Sequence, residues 1–201
     1  MLKRTREHVT DEKTFPKLVS LACHDLRTPL ATVHGFAHTL ARSEELDETT
    51  ARYVEMINAA ATQLAELIDD LSVAARLVGD RYDPPLRPVD TLELAQSAAE
   101  QLGDERVLVS GEGAVVELDA EAAERAVGAL ARCALRHGGF EEVELAVRGP
   151  ELALSPVTPA SAPVLLGEDL RDLGAAVAVR VVKARGGSVA VDGETLTIRL
   201  T

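Results

Sequence analysis

Aromatic residues are nearly missing from this chain: three Phe, two Tyr and no Trp among 201 residues, or 2%. With 46% hydrophobic residues overall, a core is affordable, but it has to be assembled from Ala, Val and Leu. Cysteine is equally scarce. Cys23 and Cys133 both fall within helical patterns and form no disulfide framework, which points to a reducing compartment and a cytoplasmic location. No apolar run reaches the ~18 residues of a membrane span. The opening stretch MLKRTREHVTDEKT lacks the apolar core of a secretion signal. Net positive charge is absent too. A formal charge of −12 argues against nucleic acid or an anionic membrane as partner. No Gly-x-x-x-x-Gly-Lys phosphate loop occurs, nor does an internal repeat or a low-complexity tract.

What is present divides into two halves of different period. From Phe15 to Val78 the pattern is helical. Val54, Ile57, Ala61, Leu64, Ile68, Leu71, Ala75 and Val78 step by three and four without a break, a heptad seam. Val19, Leu26, Val33 and Leu40 repeat every seven residues in the first part. The polar stretch ARSEELDETT between them offers Asp and Thr to cap a second helix. The expected unit is an antiparallel helical hairpin over residues 15–78, after an N-terminal extension at 1–14. A lone hairpin cannot enclose its seam, so a homodimer forming a four-helix bundle is expected.

The segment GDRYDPPLRPVD, with its three prolines, reads as a linker over residues 79–88. Beyond it, residues 89–201 alternate helix and strand. Asp90-x-x-Glu93 opens one helix, Ala120 to His137 forms a second, closed by Gly138-Gly139, and Glu168 to Arg185 forms a third. RVLVS, AVVEL, EEVELAV and LALS read as strands, and SVAVDGETLTIRL as a hairpin turning at Asp192-Gly193. The fold class expected is α plus α/β: the hairpin, then a small two-layer α/β sandwich with antiparallel strands.

One stretch carries chemistry. With Val19 at an a position, His24 falls at f, on the outward face of a rigid helix. Asp25 beside it can hydrogen-bond one imidazole nitrogen and leave the other nucleophilic, or act as a general base. Thr28, four residues on, shares the face of His24 and can orient a water. Pro29 has no N–H, so the carbonyl of Asp25 loses its helical partner and a bend is expected. His34 and His38 fall on polar positions of the same helix and receive no role.

The run CHDLRTPLATVHGF resembles the H-box of the dimerisation and phosphoacceptor domain of two-component sensor histidine kinases. His24, Asp25, Leu26, Arg27, Thr28, Pro29 and Leu30 match its His-Glu/Asp-Leu-Arg-Thr-Pro-Leu form consecutively. The resemblance implies that His24 is phosphorylated on a ring nitrogen and that Asp25 assists the transfer. It implies further that Asp25 and Thr28 can support hydrolysis of a partner's phospho-aspartate, with Arg27 and Pro29 supporting the site.

The second half resembles, more weakly, the ATP-binding domain that follows this bundle in such kinases, in a degenerate form. Matching Asp119 to the family's aspartate puts Ala129 and Cys133 where two asparagines stand, one of which helps hold magnesium. The adenine-receiving Asp-x-Gly-x-Gly is replaced by LSPVTPASAP. The glycine-rich stretch over the phosphates survives only as DLGAAVAVR, with Gly174 alone, and too few residues lie between Ser155 and Asp172 for an ATP lid. These losses remove a charged acceptor for adenine, part of the oxygen shell of magnesium, and the backbone freedom to close over phosphates. Gly186-Gly187 reads as a helix stop. Cys133 and His137 lie at i, i+4, but two ligands do not make a metal site, and no metal is assigned.

The function expected is a dimeric histidine phosphotransferase of a phosphorelay, with His24 carrying a phosphoryl group between receiver-domain aspartates of response regulators. It binds no ATP and has no cofactor of its own, and magnesium comes with the receiver. The short N-terminal extension, without a sensor segment, suits that role. Its alternatives are the catalytic core of a sensor histidine kinase with a divergent ATP site, and a non-catalytic dimeric adaptor for response regulators.

Overall fold

The computed structural model describes residues 4–43, 46–102 and 106–201, with side chains described from Thr14 onward. The polar connection between the first two helices is therefore described except for residues 44 and 45, and of the expected N-terminal extension residues 1–3 lie outside the described residues. The chain divides into two compact units, Met1–Tyr82 and Asp83–Thr201.

The first unit is a hairpin of α1 (Arg4–Ala41) and α2 (Glu48–Val78). Helix α1 starts well before Phe15, because backbone hydrogen bonding continues past the end of the apolar repeat. It runs unbroken through Pro16 and Pro29. Asp47 caps α2: its Oδ1 accepts from the amides of Thr49 and Thr50 at 3.0 Å, and its Oδ2 accepts from the Thr50 hydroxyl at 2.6 Å. These bonds favour the ionised carboxylate and hold it below the usual range.

The packing of the hairpin refines the seam expected from sequence. Inside the hairpin α1 buries Pro16, Cys23 and Ala37 and half-buries Ser20, Leu30 and His34. Helix α2 buries Val54, Ala61, Val73 and Ala75 and half-buries, among others, Ala51, Asn58, Ala65, Ile68 and Ser72. Apart from Val73 the α2 set steps by three and four, and the α1 set does so with one step of seven between Cys23 and Leu30; both are rich in small residues, which lets the two helices approach closely. Val54, Ala61, Ile68 and Ala75 of the expected seam thus face α1, but Ile57, Leu64, Leu71 and Val78 do not. On α1, Leu26, Val33 and Leu40 are likewise about half exposed. The apolar stripe is wider than one helix-to-helix contact requires. His34, a polar position by sequence, lies on the inner edge instead.

The second unit is a two-layer α/β fold. It comprises β1 (Arg87–Asp90), α3 (Thr91–Gln101), β2 (Val107–Gly113), β3 (Val115–Leu118), α4 (Ala120–Gly138), β4 (Val143–Gly149) and β5 (Glu151–Ser155). After these come α5 (Ala162–Leu165), α6 (Leu173–Ala184), β6 (Ser188–Asp192) and β7 (Thr195–Arg199). Strands order as β2-β4-β5-β7-β6 in one sheet, and β1 pairs with β3 in a separate ribbon. The sheet is mixed, not wholly antiparallel as expected: β2 runs parallel to β4, with Val107 opposite Val143. The physical reason is the connection. Helix α4 lies between the two strands, and a long crossover returns a chain parallel to itself.

Alternation along β4 puts Val143, Leu145 and Val147 inward, where they join Leu152, Leu154, Leu196 and Ile198 beneath the helices. The largest fully buried side chains are Leu, Ile and Val, with no aromatic among them, as the composition requires. Helix α4 is the central one. Asp119 caps its start, and Gly139, at φ +71°, ends it in the left-handed conformation that glycine adopts freely. The third expected helix begins at Leu173, not Glu168, because Asp172 is its cap; the residues before it form turns and the short α5.

Candidate functional site

His24 sits in the middle of α1, one residue beyond the buried Cys23. A step of about 100° around the helix carries it from the inner face to solvent. Its side chain is 77% exposed, and Nδ1 lies 3.1 Å from Asp25 Oδ1. A carboxylate only accepts, so this bond calls for a proton on Nδ1, and in the neutral ring the lone pair is then on Nε2. An exposed imidazole so held can attack an electrophilic phosphorus through Nε2.

The neighbouring residues divide by role in the geometry. Arg27 spans the hairpin: Nη2 and Nε approach Asp69 Oδ1 of α2 at 2.8 and 3.2 Å. It ties the stretch that carries His24 to the second helix. Asp69 was not visible in sequence, since it lies 42 residues away with no local motif. Thr28 is exposed, one turn beyond His24, and its carbonyl accepts from the Thr32 hydroxyl at 3.1 Å. Pro29 is exposed within the helix. Thus His24, Asp25 and Thr28 share an accessible stretch of α1, with Arg27 directed across to α2.

In the second unit, the positions singled out in the sequence have definite surroundings. Cys133 is fully buried on α4. His137, one turn on, and Asp172, the cap of α6, come to it, and one ligand atom from each lies within 4.8 Å of the others. Asp172 Oδ1 accepts from the Ala175 amide at 3.0 Å. Its Oδ2 lies 3.3 Å from Arg136 Nη1 and 3.5 Å from His137 Nε2. The latter distance is too long for a good hydrogen bond, and Nε2, shielded from water, has no hydrogen-bond partner. Burial first, and the Asp172 carboxylate second, push the Cys133 thiol up to about 12, against the opposing pull of Arg136 and Arg171. The Asp172 contribution was missed in sequence; the signal was an Asp placed to cap the apolar run LGAAVAVRVV.

The stretch LSPVTPASAP is closed on itself. The Thr158 amide donates to Ser161 Oγ and the Ser161 amide to Thr158 Oγ1, both at 3.1 Å. Val157, Val164 and Leu165 around it are buried in the core. Among the described residues no helix is long and apolar enough to cross a membrane.

Residues 17–79 match the His Kinase A (phospho-acceptor) domain. Sensor protein DivL of Caulobacter vibrioides is 30% identical over 90 residues, 45% of this chain and 12% of that protein. Sensor-like histidine kinase SenX3 of Mycolicibacterium smegmatis is 30% identical over 92 residues, 46% of this chain and 24% of that one. The chain thus spans less than a quarter of the length of these relatives. Among solved structures, full-length ShkA in complex with AMPPNP superposes with a TM-score of 0.63 at 23% identity, over 91% of this chain and 44% of ShkA. The Acinetobacter baumannii histidine kinase AdeS gives 0.55 at 16% identity, over 89% and 97%. At these identities the likeness is one of fold. Residues 17–79 thus match a His Kinase A (phospho-acceptor) domain, and the fold of the chain is like that of ShkA and of the histidine kinase AdeS.

Proposed function

We propose that the chain is a dimeric histidine phosphotransferase, carrying a phosphoryl group on His24 between receiver-domain aspartates in the cytoplasm. The observation that carries this reading is the exposed His24 ring with Nδ1 held by Asp25 at 3.1 Å, inside a matched phospho-acceptor domain. In the step, Nε2 forms a bond to phosphorus as the bond to the aspartyl oxygen breaks, and the receiver recovers its carboxylate. The receiver supplies the magnesium and the acidic pocket, so little is asked of this chain beyond an oriented imidazole. Asp25 with Thr28, one turn on, would orient a water for a separate reaction, hydrolysis of the receiver's phospho-aspartate to inorganic phosphate. Dimerisation is supported by the half-exposed Leu26, Val33 and Leu40 of α1 with Ile57, Leu64 and Leu71 of α2, which a second hairpin would cover.

Transfer without ATP is supported by the second unit. Asp172 already satisfies the start of α6, the end of the stretch that would otherwise meet phosphate. At an effective dielectric near 20, a phosphate charge brought to about 4 Å of it meets about 4 kcal/mol of repulsion, before any offset by Arg136. Ala129 and Cys133 offer magnesium no amide oxygen, and LSPVTPASAP, whose Thr158 and Ser161 bond to each other, has neither the acid nor the glycines of an adenine-receiving segment.

A second reading, the catalytic core of a sensor histidine kinase with a divergent ATP site, is favoured by the comparisons. The relatives are named as sensor proteins and kinases, and ShkA, of like fold, was solved with AMPPNP. The two readings separate in one experiment. The full chain is incubated with MgATP, and separately with phosphorylated receiver domains, alongside His24→Ala. The phosphotransferase reading expects no calorimetric heat with MgATP and labelling of His24 from the receiver. Saturable MgATP binding with labelling of His24 establishes the kinase reading instead, and transfer that survives His24→Ala overturns the site assignment.

A further inference from the structure

We propose that Cys133, His137 and Asp172 form a binding site for a divalent transition-metal ion of the zinc class. Three observations carry it. The donor set of thiol, imidazole and carboxylate is the one that zinc selects, whereas magnesium and calcium take oxygen. The donors converge from two helices: Cys133 and His137 lie one turn apart on α4, and Asp172 stands at the start of α6, all within 4.8 Å. The donors are also idle or aimed inwards. His137 Nε2 is hidden from water with no hydrogen-bond partner, Cys133 is fully buried, and the Asp172 side chain is 10% exposed.

The geometry needs only a small contraction. Ligands on a tetrahedral zinc at bond lengths of about 2.0–2.3 Å stand about 3.3–3.8 Å apart. His137 Nε2 and Asp172 Oδ2 are already at 3.5 Å. Asp172 can keep its Oδ1 on the Ala175 amide while Oδ2 binds the ion, and Arg136 at 3.3 Å remains as an outer partner that orients the carboxylate. Binding forms a sulfur–metal bond as the thiol proton leaves to solvent. Thiolate and carboxylate then balance the two positive charges, and a water takes the fourth position. The ion ties the last turn of α4 to the first turn of α6. This inference stands apart from phosphoryl transfer at His24, and its test involves no receiver and no nucleotide.

The test is titration of the chelator-stripped full chain with cobalt(II) as spectroscopic probe, followed by displacement with zinc. One equivalent per chain is expected, with a thiolate-to-cobalt charge-transfer band that zinc abolishes. Cys133→Ser should remove the band, and His137→Gln and Asp172→Asn should each weaken binding at least tenfold. His34→Gln with His38→Gln should leave it intact. Far-UV circular dichroism checks that each variant folds. His137→Gln, at a partly exposed position, keeps the test open should Cys133→Ser not fold. Absence of a thiolate band in the parent protein overturns the site. A band that persists in Cys133→Ser, or binding unchanged in folded His137→Gln, does so as well.

Discussion

Thr91→Val isolates one junction on which the second unit depends. Thr91 is fully buried at the start of α3. Its hydroxyl donates to the Gly149 carbonyl at 2.6 Å and accepts from the Ala114 amide at 2.9 Å. Its own amide donates to the Ala114 carbonyl at 3.1 Å. One side chain thus joins three turns: the β1–α3 corner, the β2–β3 connection and the β4–β5 connection. Valine matches threonine in shape and replaces the hydroxyl by a methyl, so no cavity forms, but two partly buried backbone groups lose their partner. Each such loss costs about 1–3 kcal/mol, and the extra apolar group returns about 1 kcal/mol, for a net of about 3 kcal/mol. Thr91→Ser keeps both bonds and deletes one methyl, at about 1 kcal/mol. Hydrogen exchange on the full chain reads the difference in peptides covering residues 107–118 and 143–149. At about 1.4 kcal/mol per tenfold, the valine variant should exchange about a hundredfold faster than the parent, and the serine variant less than tenfold faster. A valine variant no more labile than the serine variant would refute the assignment of stability to this hydroxyl.

Three further outcomes are expected. Leu64→Glu, on the exposed flank of α2, should shift the protein towards monomer in analytical ultracentrifugation, since covering the exposed half of such a leucine contributes about 1 kcal/mol per chain. An unchanged dimer would place the interface elsewhere. Asp47→Ala should destabilise the hairpin at neutral pH. Because Asp47 is held below its usual range, its stabilisation is present above the unfolded carboxylate value and is lost as pH falls through the folded one. Thermal melts of variant and parent should therefore converge in acid, and a constant gap would contradict the capping role. Thr28→Ala should leave phosphoryl transfer to His24 intact while slowing receiver dephosphorylation, and equal loss of both activities would end that division of labour.

Much of the molecule was legible from local pattern. The hairpin, the caps at Asp47 and Asp90, and the turn at Asp192-Gly193 all depend on residues within a few positions of one another. Such signals survive in sequence because helical and strand periodicities are local. His24 was placed on the outer face by counting from Val19, and its exposed ring agrees. What could not be read were contacts between distant segments. The parallel pairing of β2 with β4 depends on where a crossover lands, and the Arg27–Asp69 pair on the register of two helices.

By itself, then, the sequence determined most of the elements, though not β1, which begins inside the stretch read as a linker, nor the short α5; it also determined an Ala/Val/Leu core and the His-Asp-Leu-Arg-Thr-Pro-Leu run on a helix face. Tertiary structure alone decided which flank of the apolar stripe α1 and α2 share, leaving the larger side chains of the other flank exposed. It also brought Asp172 to Cys133 and His137, which sequence separates by more than thirty residues. The reason is physical: periodicity records which face of an element is apolar, whereas the meeting of side chains from different elements is set by packing.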